Sequence, residues 1–152
     1  MHLEFHQVDA FTQRPFAGNP AMVYRLDSWL SDELMLQIAA EHNLAETAFV
    51  VADGAQWQIR WFTPTTEVPL CGHATLASAH VLLDVYKVAS DRLVFQSPSG
   101  PLSVSREQGL LLLDFPRIDP KPVYEALPVA EALGCPVVEV LQTKELLVVL
   151  ES

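Results

Sequence analysis

Three side chains in this sequence have the types and spacing for proton transfer: Glu46, Cys71 and His73. Cys71-Gly72-His73 stands at the head of an apolar run that reads as a helix. The free N–H groups of a helix's first turn make an anion site, strengthened by the helix dipole. Gly72 lets a ligand approach the backbone closely there. A cysteine at such a position is either a small buried hydrophobe or a thiol with a lowered pKa, able to act as base or nucleophile. His73 either caps the helix or exchanges a proton with a bound carboxylate. Glu46 lies in Asn43-Leu-Ala-Glu-Thr-Ala-Phe-Val50, leading into an apolar strand. Desolvation at such an entry raises a carboxyl pKa toward the range useful for acid–base work, whereas a solvated or ion-paired junction leaves it inert. Gly18-Asn19-Pro20 has the composition of a turn, and Glu67 that of a loop carboxylate able to orient a neighbour.

The elements that must position these residues are legible in outline. Residues 2–10 alternate as a strand, 11–19 form a loop, and 21–26 resume an apolar strand. Ser31 is the expected N-cap of a helix over 32–42, with Asp32 and Glu33 in its first turn and an apolar face through Leu30, Leu34 and Ile38. Strands are expected over 46–52 and 56–62, joined by a turn at Asp53-Gly54. From Gly72 to Val85 nearly every position is apolar, so this helix must be buried on nearly all sides, wrapped by sheet. It is too short to cross a membrane. Strands at 93–96, 102–106 and 110–115 follow, then a proline-rich connector over 116–122, a short helix within 123–133 and a strong strand over 145–152.

Composition narrows the function classes. Of 152 residues, 50% are hydrophobic and 18% charged, which excludes intrinsic disorder. A net charge of -10 disfavours both a nucleic-acid backbone and anionic lipid as partners. The first residues lack the basic and apolar regions of a signal peptide, and Cys71 and Cys135 form no zinc or redox motif. A cytoplasmic protein acting on a small molecule is the expectation.

Several motifs occur in a fixed order: Asp9-Ala-Phe-Thr12, Pro15-Phe-Ala-Gly-Asn-Pro20, Asn43-Leu-Ala-Glu-Thr47, Phe62-Thr-Pro64 with Glu67, and Leu70-Cys-Gly-His-Ala-Thr75. Together they resemble the N-terminal half of the PhzF-like family, named for an isomerase of phenazine biosynthesis. The resemblance runs from about residue 2 to Ser152 and implies an α+β, diaminopimelate-epimerase-like lobe, a mixed curved sheet wrapped around a central helix. It treats residues 1–152 as one lobe, with the second lobe of the family absent. It further implies a cofactor-independent isomerase in which Glu46 shuttles a proton on a small cyclic or amino-acid-like carboxylate, assisted by His73. Gly72, Cys71, Ala45 and Asn19 are the substrate-binding positions it carries over. No metal, nucleotide or pyridoxal cofactor is implied. Ala45 departs from the family, which often has serine before the glutamate, so one hydroxyl contact is lost.

Two other readings remain open. One is a two-base racemase or epimerase with Cys71 as one base; the other is a non-catalytic fragment or binding lobe. Three structural expectations follow from the resemblance. Leu76, Ala79 and Leu83 are not on a solvent face, Glu46 comes close to His73, and the chain self-associates through surface left open by the absent lobe while lacking appreciable turnover.

Overall fold

The computed structural model describes residues 2–123 and 128–151. The chain divides into two compact units, Met1–Phe115 and Pro116–Ser152. The division falls at the proline-rich connector.

The first unit is built on one eight-stranded mixed sheet. Its strands are β1 (Phe5–Ala10), β2 (Asn19–Leu26), β3 (Glu46–Asp53), β4 (Gln56–Phe62), β5 (Glu67–Val68), β6 (Arg92–Ser97), β7 (Gly100–Glu107) and β8 (Leu110–Asp114). They lie in the order β1-β2-β3-β4-β6-β7-β8, with β5 paired to β4. The β2–β3 and β4–β6 pairs are parallel and the others antiparallel. Two helices lie on it, α1 (Asp32–His42) and α2 (Gly72–His80). Helix α2 touches β1, β2, β3 and also β8. Since β1 and β8 are the two ends of the sheet, one helix can meet both only if the sheet curls around it as a half-barrel.

Alternation along the central strands creates two cores. Ala21, Val23, Ala48, Val50, Ile59 and Trp61 point to the α2 side, and Met22, Tyr24, Leu26, Phe49 and Phe62 point to the α1 side with Met35 and Ala39. Ser31 caps α1 as expected, its Oγ accepting from Leu34 N–H at 3.3 Å.

Burial of α2 follows its composition. Ala79 and Leu83 are buried and Leu76 is half-buried, as the apolar circumference requires. Its two hydroxyl residues survive in the core by donating to carbonyls one turn back, Thr75 to Cys71 and Ser78 to Ala74. The helix runs on to Val85 as expected, but its last turn, Val81–Val85, is a π turn in which Tyr86 N–H reaches Val81 C=O at 2.9 Å. A π turn carries no residue-type signature, which is why the sequence reading had it as ordinary helix. Along the opening between the ends of the sheet lies a cleft of about 610 Å³, with Leu76, Ala77 and His80 from the middle and far end of α2 and Val8–Gln13 and Gly109–Leu111 from its rims.

The second unit holds β9 (Lys121–Pro122), α3 (Val129–Leu133), β10 (Val137–Gln142) and β11 (Leu146–Leu150), its sheet ordered β11-β10-β9. Strand β10 was not anticipated. Of the helix expected within 123–133, residues 129–133 are helical and 124–127 lie outside the described residues. Among the described residues no helix is long and apolar enough to cross a membrane.

Candidate functional site

Glu46 is the first residue of β3, and Cys71 is the N-cap of α2. The register explains why they meet. Parallel pairing of β2 with β3 sets Glu46 opposite Ala21 at the end of the sheet where the first turn of α2 packs. The His73 ring bridges the other two side chains. Its Nε2 lies 3.4 Å from Glu46 Oε2, and its Nδ1 lies 3.4 Å from Cys71 Sγ. Cys71 and His73 are buried, whereas the Glu46 side chain keeps 21% exposure and so opens the cluster to solvent.

Of the two readings that the sequence leaves open for the thiol, the buried one holds. Instead of being lowered by the helix N-terminus, its pKa is pushed up to about 12. Burial is the largest cause, and the Glu46 carboxylate adds to it; the N–H groups of Ala74 and His73 pull the other way and lose. A thiol of that kind stays protonated at neutral pH, and burial therefore leaves Cys71 a poor base.

The helix end itself has no side-chain cap and no acidic residue in its first turn. What approaches Gly72 closely is the Phe115 ring. A Cβ at Gly72 would stand 2.9 Å from Phe115 Cζ, with Leu113 just beyond. The sequence held no signal for this contact, because it joins the head of α2 to the last residue of the first unit, far apart along the chain.

The remaining sequence candidates divide. Asn19 opens β2 and Ala45 immediately precedes β3, at the same end of the parallel pair as Glu46, and neither makes a side-chain hydrogen bond to the cluster. Glu67 is committed elsewhere. Its two oxygens accept from Arg60 at 2.7 and 2.6 Å, Arg60 also donates to Asp32 at 2.9 Å, and the guanidinium lies over Trp29 and Phe62. That network ties β4 and β5 to the start of α1 and does not reach the cluster. Chemically, Glu46 and His73 form a carboxylate–imidazole pair that can pass a proton, beside backbone N–H groups able to receive an anion.

The chain is similar to known proteins over its whole length. The family model of the phenazine biosynthesis-like protein matches residues 8–135. An uncharacterized isomerase of Pseudomonas aeruginosa is 62% identical over all of this chain and 59% of its own length. A human phenazine biosynthesis-like domain-containing protein is 44% identical, covering 76% of this chain and 43% of its own length. Among solved structures, a phenazine biosynthesis PhzF family protein of Enterococcus faecalis superposes over 100% of this chain and 58% of its own, with a TM-score of 0.91 and 45% identity. The chain thus spans a little over half the length of the Pseudomonas aeruginosa and Enterococcus faecalis relatives.

Proposed function

Because this chain belongs to the phenazine biosynthesis-like protein family, we propose that it supplies the proton-transfer half of a cofactor-independent isomerase acting on a small carboxylate substrate. The observation that carries this reading is the 3.4 Å approach of Glu46 Oε2 to His73 Nε2 beside an uncapped helix end. Glu46 removes a proton from a carbon activated by the substrate's carboxylate or enamine and returns it at another position. His73 assists that transfer, its Nε2 lying 3.4 Å from the Glu46 carboxylate. The N–H groups at Gly72 and His73 receive the substrate carboxylate, with Cys71 behind them and Asn19 and Ala45 on the rim. Electrostatics supports a small ligand: the chain's net charge of -10 disfavours a nucleic-acid partner.

The high thiol pKa argues against Cys71 as one of two bases, because at neutral pH the thiolate is a negligible fraction. Turnover in this account needs the rest of the length found in the relatives, and this chain alone binds without turning over. It self-associates through its exposed apolar surface. The test joins this chain to the remaining segment of the Pseudomonas aeruginosa relative and follows solvent deuterium entering cyclic amino-acid-like carboxylates. Glu46→Gln should lower the exchange rate by about 10²–10⁴-fold, the usual worth of a positioned acid–base group, while Cys71→Ala retains it. The reverse pattern would favour the two-base racemase.

A further inference from the structure

We propose that Glu46, Cys71 and His73 also form a binding site for one zinc ion, which competes with substrate for these groups and takes no part in the chemistry. One ligand atom from each side chain lies within 4.8 Å of the other two. Tetrahedral zinc, with bonds of about 2.0–2.3 Å, sets its ligand atoms about 3.3–3.8 Å apart, so closure needs Sγ, now beside Nδ1, to rotate toward the Nε2 side. The Glu46 Oε2–His73 Nε2 separation, at 3.4 Å, already falls in that range.

A second observation points to the same place. His73 is 8% exposed, and its buried Nε2 completes no hydrogen bond, although the Glu46 carboxylate lies 3.4 Å away. A buried polar atom left in this way is costly, and a metal bond relieves it. Charge fits as well. A dication held by one carboxylate, one thiolate and one neutral imidazole is neutral overall, the arrangement a poorly solvated pocket tolerates best. The mix of sulfur, nitrogen and oxygen donors suits a borderline-soft ion such as zinc and not magnesium or calcium.

Binding proceeds with balanced protons. Sγ swings away from Nδ1 about the Cys71 Cα–Cβ bond and loses its proton to solvent as the S–Zn bond forms. The imidazole carries its proton on Nδ1, leaving the Nε2 lone pair for the ion. One proton is released for each zinc bound. Water takes the fourth position on the side where Glu46 meets solvent. Competition with substrate rests on the acid–base reading above, whereas the metal site rests on geometry alone.

The experiment uses this chain in a Cys135→Ser background, which leaves Cys71 as its one thiol. Zinc is titrated against a chromophoric chelator, and cobalt(II) serves as the spectroscopic probe. The expected result is one ion per chain and a sulfur-to-cobalt charge-transfer band that vanishes in Cys71→Ser. Cys71→Ser and His73→Gln should each weaken zinc binding by at least the 10–100-fold that loss of a mere supporting partner costs. Circular dichroism verifies that each variant folds. Unchanged affinity in both variants, a missing sulfur band, or no stoichiometric binding at micromolar zinc would overturn the proposal. Any of those results leaves the Glu46–His73 proton transfer standing, because that reading needs no ion.

Discussion

Two sheets in this chain are made of similarly apolar strands and end in opposite conditions. In the first unit, strands β2, β3 and β4 bury residues on both faces, between α2 on one side and α1 on the other. In the second, no described residue is buried, and Val138, Leu146, Leu147, Val149 and Leu150 stand exposed. Leu-Leu-Val-Val-Leu at 146–150 is as apolar as Ala-Phe-Val-Val-Ala at 48–52. The difference lies in what covers them. A strand's composition states that it wants a partner layer, and in the first unit α1 and α2 supply one on each face. A three-stranded sheet without a packed face has little to hold it together.

The sharpest way to break this comparison is to truncate one large side chain in each unit. Trp61, fully buried, should lose about 3–5 kcal/mol of stability on replacement by alanine, the range for large aromatic truncations. Leu147→Ala should change it by less than about 0.5 kcal/mol, as for other exposed positions. Urea unfolding of both variants checks this, and comparable losses would mean that β11 is covered after all.

A second contrast uses the two thiols. The folded Cys71 thiol titrates at about 12 against an ordinary value of 9.0. The folded chain therefore keeps a proton that the unfolded chain gives up first. The stability tied to this group is complete below about pH 9 and is lost as pH rises toward 12, by at most about 1.4 kcal/mol per pH unit. Unfolding of wild type and Cys71→Ala between pH 8 and 10.5 should show the wild type falling more steeply. At pH 8, alkylation should reach the half-buried Cys135 well before Cys71. Equal slopes, or faster labelling of Cys71, would contradict the assigned environment.

The smallest effect concerns association. Strand β11 exposes apolar side chains on both faces, a surface of the kind that recruits a partner. Leu147→Asp should shift sedimentation toward monomer at a given concentration, with little change in unfolding. A wild-type chain that sediments as a monomer at every concentration would remove this proposal.

How much of this was legible in the sequence depends on the kind of interaction. Helix α2 was readable because every side of it is apolar, and Glu46 and His73 because motif order marks them. The closing π turn was not, since it depends on one hydrogen bond from Tyr86 to Val81 that no residue type announces. For Cys71 the sequence leaves two readings open, and folding decides between them. Its place at a helix N-terminus is visible in the sequence, but its burial and the adjacent Glu46 carboxylate arise only on folding, and they outweigh the helix end. Phe115 over Gly72 was invisible for the same reason.

The central claim, that the head of α2 with Glu46 and His73 receives a carboxylate, is tested most directly by amide chemical shifts. In a titration with 2-aminobenzoate, a small cyclic amino carboxylate, the account predicts saturable shifts at Gly72, His73, Ala74 and Glu46, and their loss in His73→Gln. Shifts confined to the cleft lined by Val8–Gln13 and His80, or shifts at Gly72 and Glu46 that persist unchanged in His73→Gln, would contradict it.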